Sequence, residues 1–227
     1  MTRFILPLLA AALTACSSTP PPPDWAVNAQ GSLARSVDAY LSGNARVATL
    51  ELERARAEVA RTGAPERLAR LELVHCAAEV ASLEFNACPN YRALAPDAAA
   101  PEQAYARYLL AQAAPADAAQ LPEAHRALLA LAPADAPARL AAIADPLSRL
   151  VAAGVLLRAE RATPGVFTVA VDTASAQGWR RPLLAWLQLA QQRAQAAGQT
   201  EEAARLQRRL ELVTRGGRAG GASAPAQ

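Results

Sequence analysis

Lysine is absent from this chain, and all 23 basic residues are arginine. The chain also has 20 acidic residues, so the formal net charge is only +3. Proteins that bind nucleic acid through its phosphates carry a stronger basic excess, usually clustered on one face. We therefore expect no nucleic-acid partner. Together with the abundant alanine, the exclusive use of arginine indicates a GC-rich coding sequence rather than a phosphate-binding surface.

Aromatic residues are also scarce. They make up 4% of the chain, although hydrophobic residues make up 52% and many of these are alanine. Strands favour β-branched and aromatic residues, whereas Ala, Leu, Arg, Glu and Gln favour helices. The composition therefore predicts an all-α protein built from thin, closely packed helices.

Recognisable catalytic and metal-binding patterns are missing as well: there is no Gly-x-Ser-x-Gly elbow and no glycine-rich phosphate loop after a strand. His75 adjoins Cys76 and could bind a metal together with Cys88, but no further cysteine or histidine is nearby, so a partly buried structural histidine is favoured. His125 lacks the second histidine of a zinc-protease helix and is expected at the surface. We expect no enzyme, no cofactor and no metal, and the sequence identifies no small-molecule substrate.

The N-terminus has the order of a secretory signal. Arg3 precedes an apolar run over residues 4–13, and small residues then lead to Cys16. The run is about ten residues long, and a membrane-spanning helix needs about twenty. The sequence therefore predicts a signal peptide over residues 1–15 and no retained transmembrane helix.

Leu13-Thr14-Ala15-Cys16 resembles the lipobox of bacterial lipoproteins. The resemblance implies cleavage before Cys16 and a diacylglycerol on its sulfur; an ordinary signal peptide with a coincidental cysteine is the alternative. In enterobacterial lipoproteins an aspartate after the cysteine favours the inner membrane, so Ser17 implies the outer membrane by analogy. We expect a lipid-anchored protein on the periplasmic face of the outer membrane.

A tether is expected to follow the lipid. Four consecutive prolines occupy residues 20–23, and a proline run favours an extended conformation of about 3.1 Å per residue. We assign residues 16–31 to this tether, although the prolines could also form a ligand motif. The folded helical domain is then expected over residues 32–215.

With Cys16 assigned to lipid by the resemblance, Cys76 and Cys88 remain for a disulfide. The periplasm is oxidising, and an even number of cysteines suits a bridge. An unbroken helix would separate their Cα atoms by about 18 Å, whereas a bridge tolerates at most about 7 Å. The helix that carries Cys76 must therefore end before Cys88. The alternative is a pair of buried, unreactive thiols.

Proline and glycine mark where helices begin and end. Residues 166–171 are β-branched, but no partner strand is evident, so we expect a helix there. Residues 216–227 show no apolar period and are expected to be a disordered tail. The expected helix starts are Pro65, Pro101, Pro122, Pro146 and Pro164, and the expected stops are Gly43, Gly63, Gly178 and Gly198.

Two segments resemble the turn between the helices of a tetratricopeptide repeat. They are Gly43-Asn44 followed by Ala48 and Ala55, and Gly198-Gln199 followed by Ala203 and Leu210. The resemblance implies stacked helical hairpins, in a tetratricopeptide-like or irregular α-solenoid, with a concave surface for partners. No even repeat period links the two segments, and a compact irregular helical domain is the alternative.

One local cluster favours a binding site. Trp179, Arg180 and Arg181 meet at a helix start, with Trp186 one turn further on. Tryptophan and arginine are enriched in binding hot spots, and a helix N-terminus suits anions. The alternative is that the tryptophans are core residues and the arginines are solvated.

These observations predict an outer-membrane lipoprotein whose periplasmic domain is a non-catalytic scaffold or adaptor in envelope assembly or maintenance. Its partners are then the membrane, through the lipid on Cys16, and an envelope protein. The alternative is a binding module for an anionic envelope component, such as a peptidoglycan fragment or lipopolysaccharide, that uses Trp179, Arg180, Arg181 and Trp186. The scaffold prediction rests on analogy at the level of the fold.

Overall fold

The computed structural model describes residues 21–221, and their side chains through residue 216. Within that range the chain forms helices and turns without a strand, which confirms the predicted all-α class. The α-helices are α1 (Asp24–Ser42), α2 (Ala45–Ala60), α3 (Pro65–Ala81), α4 (Pro89–Arg92), α5 (Ala100–Leu109), α6 (Glu123–Arg126), α7 (Ala136–Ala141), α8 (Pro146–Arg158), α9 (Pro164–Gln177), α10 (Arg180–Ala196) and α11 (Thr200–Gly221). Short 3₁₀ helices lie at Ala95–Asp97, Pro115–Gln120 and Pro133–Asp135.

The predicted proline and glycine signals agree with the helix ends. Helix α8 begins at Pro146, and the Asp145 side chain caps it by accepting the Ser148 N–H at 2.7 Å. Helices α1 and α9 end at Gly43 and Gly178, whose φ angles of 86° and 68° lie in the left-handed region that favours glycine. Residues 166–171 lie inside helix α9, as predicted.

Helices α1 and α2 form an antiparallel hairpin around Gly43. The Ser36 hydroxyl donates to the Ala48 carbonyl at 2.8 Å, and Arg35 Nε donates to Glu51 Oε2 at 3.0 Å. Both bonds cross between the two helices. Helices α10 and α11 pack against each other in the same way around Gly198, and α9 packs against α10 around Gly178.

The main core forms where α3 and α8 pack together, with α9 and α10 beyond them. Both α3 and α8 are rich in small apolar residues, and Ala69, Ala77, Ala152 and Ala153 are almost completely buried. Small side chains let the two helix axes approach closely. Helices α4 to α7 lie between α3 and α8 in sequence and cover one end of this core.

The predicted tether is too long at its C-terminal end. Helix α1 begins at Asp24, so residues 24–31 are helical rather than extended. The reason is tertiary contact: Ala29 is buried among apolar residues of α2 and α3, and the Arg67 guanidinium lies 4.8 Å from the centre of the Trp25 ring. The helical domain therefore starts directly after the prolines.

The predicted disordered tail is also partly wrong, because α11 continues to Gly221. Glycine lowers helix propensity by about 1 kcal/mol per residue, but it does not block a helix that is already propagating. Residues 216–221 therefore extend α11. The predicted signal peptide, the predicted lipid attachment at Cys16, the start of the predicted tether and residues 222–227 lie outside the described residues. Among the residues that are described, no helix is both long and apolar enough to cross a membrane.

Candidate binding groove

The structure places Trp186 in the core. Its side chain is 0% exposed, its indole N–H donates to the Ala81 carbonyl at 3.1 Å, and the Phe167 ring packs edge-on at 5.6 Å. A partner cannot reach this ring in the folded protein. For Trp186 the prediction of a binding residue is therefore wrong, and the alternative of a core tryptophan is correct.

The neighbouring residues connect α10 to α1. The Trp179 indole N–H donates to Asp38 Oδ1 at 3.1 Å, and Arg181 Nε donates to the Tyr40 carbonyl at 2.9 Å. Arg181 Nη1 also pairs with Glu84 Oε1 at 2.9 Å, and its guanidinium lies 4.2 Å from the centre of the Tyr40 ring. We call these five residues the α1–α10 joint.

Arg180 lies beside the joint, against the Gly43 turn. Burial and the nearby Glu84 carboxylate raise the pKa of the Tyr40 hydroxyl.

Three of the predicted binding residues, Trp179, Arg181 and Trp186, make hydrogen bonds within the protein. Their clearest role is to hold helices together.

The disulfide between Cys76 and Cys88 is present, with an S–S distance of 2.01 Å and a Cα–Cα distance of 5.5 Å. Helix α3 ends at Ala81, as the bridge requires. Asn86 shapes the connecting loop: its Oδ1 accepts the Cys88 N–H at 2.9 Å, and its Nδ2 donates to Glu79 Oε2 at 2.9 Å.

His75 is a partly buried residue, as predicted. Its ring packs edge-on against Tyr40, and its Nε2 lies 3.7 Å from Glu79 Oε1. Because Cys88 is in the disulfide, it cannot complete a metal site with His75. The described part of the chain contains no group of three or more side chains placed to hold a metal ion.

His125 is not at the surface, and that prediction is wrong. The side chain is buried, with 1% exposure, and its Nδ1 lies within hydrogen-bond distance of the Tyr108 hydroxyl at 3.1 Å. Burial lowers the pKa of His125 to about 4. Leu121 and Leu128, on either side of the short helix α6, are also buried. These flanking leucines were the sequence signal for the burial of His125.

An open groove lies between α9, α10 and α11. Its volume is about 720 Å³, which is within the range of ligand and peptide sites. The floor is apolar and consists of Phe167, Val171, Ala194 and Leu206, each at most 5% exposed. This apolar floor beneath an open mouth makes the groove the strongest candidate binding site.

Each helix contributes one face over two turns. Most of the residues that α10 contributes to the groove are alanines, whose short side chains leave the space between the helices unfilled. Along each helix the positions follow i, i+3, i+4 and i+7, the spacing of a single helical face. They are Pro164, Phe167, Thr168 and Val171 of α9, Ala190, Arg193, Ala194 and Ala197 at the end of α10, and Glu202, Arg205, Leu206 and Arg209 of α11.

The mouth of the groove is basic. Arg205 donates two hydrogen bonds to the Glu202 carboxylate, at 2.8 and 2.7 Å, and the Arg193 guanidinium lies 4.7 Å from the centre of the Phe167 ring. The bonds from Arg205, with the charge of Arg209, lower the pKa of Glu202. Within the described residues Arg193 and Arg209 form no ion pair.

This groove was not predicted from the sequence. The available signal was the change from leucine at 183 and 187 to alanine at 190, 194 and 197 along one stripe. No family model, curated protein or solved structure matches this chain. The groove is therefore interpreted from its own residues.

Proposed function

We propose that this protein is an outer-membrane lipoprotein whose periplasmic domain is a non-catalytic scaffold or adaptor in envelope assembly or maintenance. The observation that carries the proposal is the open groove along α9, α10 and α11, whose lining combines apolar side chains with three arginines. The Leu13-Thr14-Ala15-Cys16 lipobox supports the anchor. The Cys76–Cys88 disulfide supports an oxidising compartment.

The proposed architecture is a tetratricopeptide-like or irregular stack of helical hairpins. Hairpins form at both glycine turns, and the small residues Ala48, Ala55 and Ala203 are buried at their packing positions. If α4 to α7 are treated as an insertion, α3, α8, α9, α10 and α11 are successive neighbours in space. Successive neighbours of this kind are what a stacked array predicts.

A binding role fits the chemistry of the groove. Its ionisable side chains are arginines and two carboxylates, and neither a histidine nor a cysteine lines it. His125, which could serve as a proton donor or acceptor, is buried against Tyr108 instead. These features favour docking over bond-making chemistry.

The alternative is a binding module for a peptidoglycan fragment, lipopolysaccharide or another anionic envelope component at residues 179–186. It has less support, because Trp186 is fully buried and Arg181 already pairs with Glu84. A ligand at this place would have to displace contacts that hold α10 to α1.

Site-specific crosslinking in intact envelopes tests the scaffold. A photoreactive amino acid at Thr168 or Gln199, two exposed residues of the groove, is expected to capture a protein. The same amino acid at Leu50, which is 51% exposed on α2 and far from the groove in sequence, is the control and is expected to capture much less. Recovery of glycan or lipid alone from the groove positions would refute the scaffold.

A further inference from the structure

We propose that the groove binds a short amphipathic helix of a partner protein whose apolar face is flanked by carboxylates. This inference rests on the proposed scaffold function and names the chemistry of the segment that docks. The proposed partner segment is an acidic helical peptide, and the experiment distinguishes it from an acyl lipid.

The first argument is shape. Each of the three helices lines the groove over two turns, or about 10 Å at 1.5 Å per residue. A docked helix presents anchors at i, i+3, i+4 and i+7 over the same length. The groove is open along this length rather than closed into a tunnel, so it admits the side of a helix.

The second argument is the contrast between floor and mouth. Pro164, Ala196 and Ala197 line the groove with exposed apolar side chains and Ala190 is half-buried, so together they offer an apolar strip. The other apolar lining residues, Phe167, Val171, Ala194 and Leu206, are buried. An amphipathic helix that lies in the groove covers this strip with its own apolar side chains, while its polar edges stay at the mouth. The charge of those polar edges is then set by the residues of the mouth.

The third argument is charge. Three arginines and two carboxylates, Asp172 and Glu202, line the mouth, and Glu202 is already paired with Arg205. Arg193 on α10 and Arg209 on α11 form no ion pair within the described chain, and they lie on two different walls. A helix with a carboxylate on each edge can pair with both guanidinium groups, which bind carboxylates in a forked geometry. A lysine-rich helix meets repulsion at the same places.

A defined peptide tests the proposal. The probe is a fluorescent 14-residue helical peptide with leucines at i, i+3, i+4 and i+7 and glutamates on both edges, and its matched control has glutamine at every glutamate. The full lipidated chain in phosphatidylcholine nanodiscs is titrated with each peptide, and empty nanodiscs give the background. We expect the glutamate peptide to bind about tenfold more tightly, the factor that about 1.4 kcal/mol of charge-assisted bonding supplies.

Variants locate the site. Arg193→Gln with Arg209→Gln is expected to remove the preference for glutamate, whereas Arg208→Gln, on the same helix but outside the groove, retains it. Ala196→Glu, at an exposed position in the groove, is expected to weaken the glutamate peptide through repulsion. Circular dichroism of each variant shows whether the fold is retained.

The outcomes separate this inference from the scaffold itself. Three outcomes would overturn the proposal of an acidic helix. They are equal affinity for the glutamate and glutamine peptides, an equal loss of the preference for glutamate in Arg208→Gln, and complete displacement of the peptide by dodecanoate at an equal concentration. If the peptide fails while Thr168 and Gln199 still capture a protein in envelopes, the partner chemistry is wrong and the scaffold stands. If those positions capture no protein, the scaffold fails whatever the peptide does.

Discussion

His125 shows how one residue couples the packing of this protein to pH. It lies against Tyr108 and Tyr105 of α5, with ring centres 4.8 and 5.8 Å away. A buried imidazole is easily accommodated when neutral, and its charged form has lost most of its water. The folded protein therefore resists protonation of His125 down to a pKa of about 4.

This predicts a loss of stability in mild acid. The pKa of His125 is lower in the folded chain than the 6.5 of a free imidazole, so the unfolded chain binds the proton first as the pH falls. The free energy of unfolding is expected to fall between pH 6.5 and pH 4 by up to about 3 kcal/mol from this residue. Urea unfolding at a series of pH values measures it.

Two variants isolate the effect of His125 from that of the carboxylates. His125→Phe is expected to lower stability but to remove this share of the pH dependence. Tyr108→Phe removes the hydroxyl partner and leaves the ring in place, so the pH dependence is expected to remain, because burial rather than the hydrogen bond is its cause. Parallel pH profiles for the wild type and His125→Phe would contradict this account.

At the scale of helices, α3 and α8 approach each other closely where they cross. Gly154 of α8 faces Val80 of α3, and a Cβ on Gly154 would overlap the Val80 carbonyl oxygen and lie 3.0 Å from Val80 Cγ1. The carbonyl belongs to the backbone of α3 and cannot rotate away as a long side chain can. The close approach of α3 and α8 therefore requires that position 154 has no side chain.

Gly154→Ala is expected to destabilise the protein although alanine is the better helix former. Overpacking a well-filled core costs about 1–3 kcal/mol, which exceeds the gain of about 1 kcal/mol in helix propensity. Thermal or urea unfolding measures the change. Gly216→Ala, on α11 with no atom within 4 Å of the new Cβ, is the control and is expected to be neutral or stabilising. A stabilised Gly154→Ala protein would show that the helices can move apart at no cost.

The helices themselves could be predicted from the sequence because their ends are set locally. Pro146 and Pro164 start helices α8 and α9, and Gly43 and Gly178 end α1 and α9, through backbone effects that need no distant partner. Helix α1 could not be placed correctly, since its first turns depend on contacts such as that of Trp25 with Arg67.

The candidate groove was hidden for a related reason. Its floor joins Phe167, Ala194 and Leu206 from three helices, and no local pattern gives the angle at which helices cross. The Trp179–Trp186 cluster was visible in sequence, but its composition is equally that of a structural contact. Asp38 and Glu84, from distant parts of the chain, bond to Trp179 and Arg181. These bonds show that the cluster makes structural contacts.

Over the whole molecule, the α1–α10 joint links the first helix of the domain to the last but one. Asp38 and Tyr40 lie near the end of α1, and Trp179 and Arg181 lie at the start of α10, 141 residues further along the chain in each bonded pair. The first hairpin of the domain is thereby fixed to the helix that also forms a wall of the groove.

The proposed lipid anchor at Cys16 can be tested by mutation. Because α1 begins at Asp24, only residues 17–23 separate Cys16 from the helical domain, and seven residues reach at most about 25 Å. Acyl chains on Cys16 then hold the domain close to the membrane, and more than one chain makes the attachment stable. Cys16→Ser is expected to abolish labelling by radioactive palmitate and to remove the protein from the outer-membrane fraction. Ser17→Ala, which keeps a small neutral residue beside an intact cysteine, is expected to remain labelled and membrane-bound; a Cys16→Ser protein that still carries palmitate would remove the basis for the anchor.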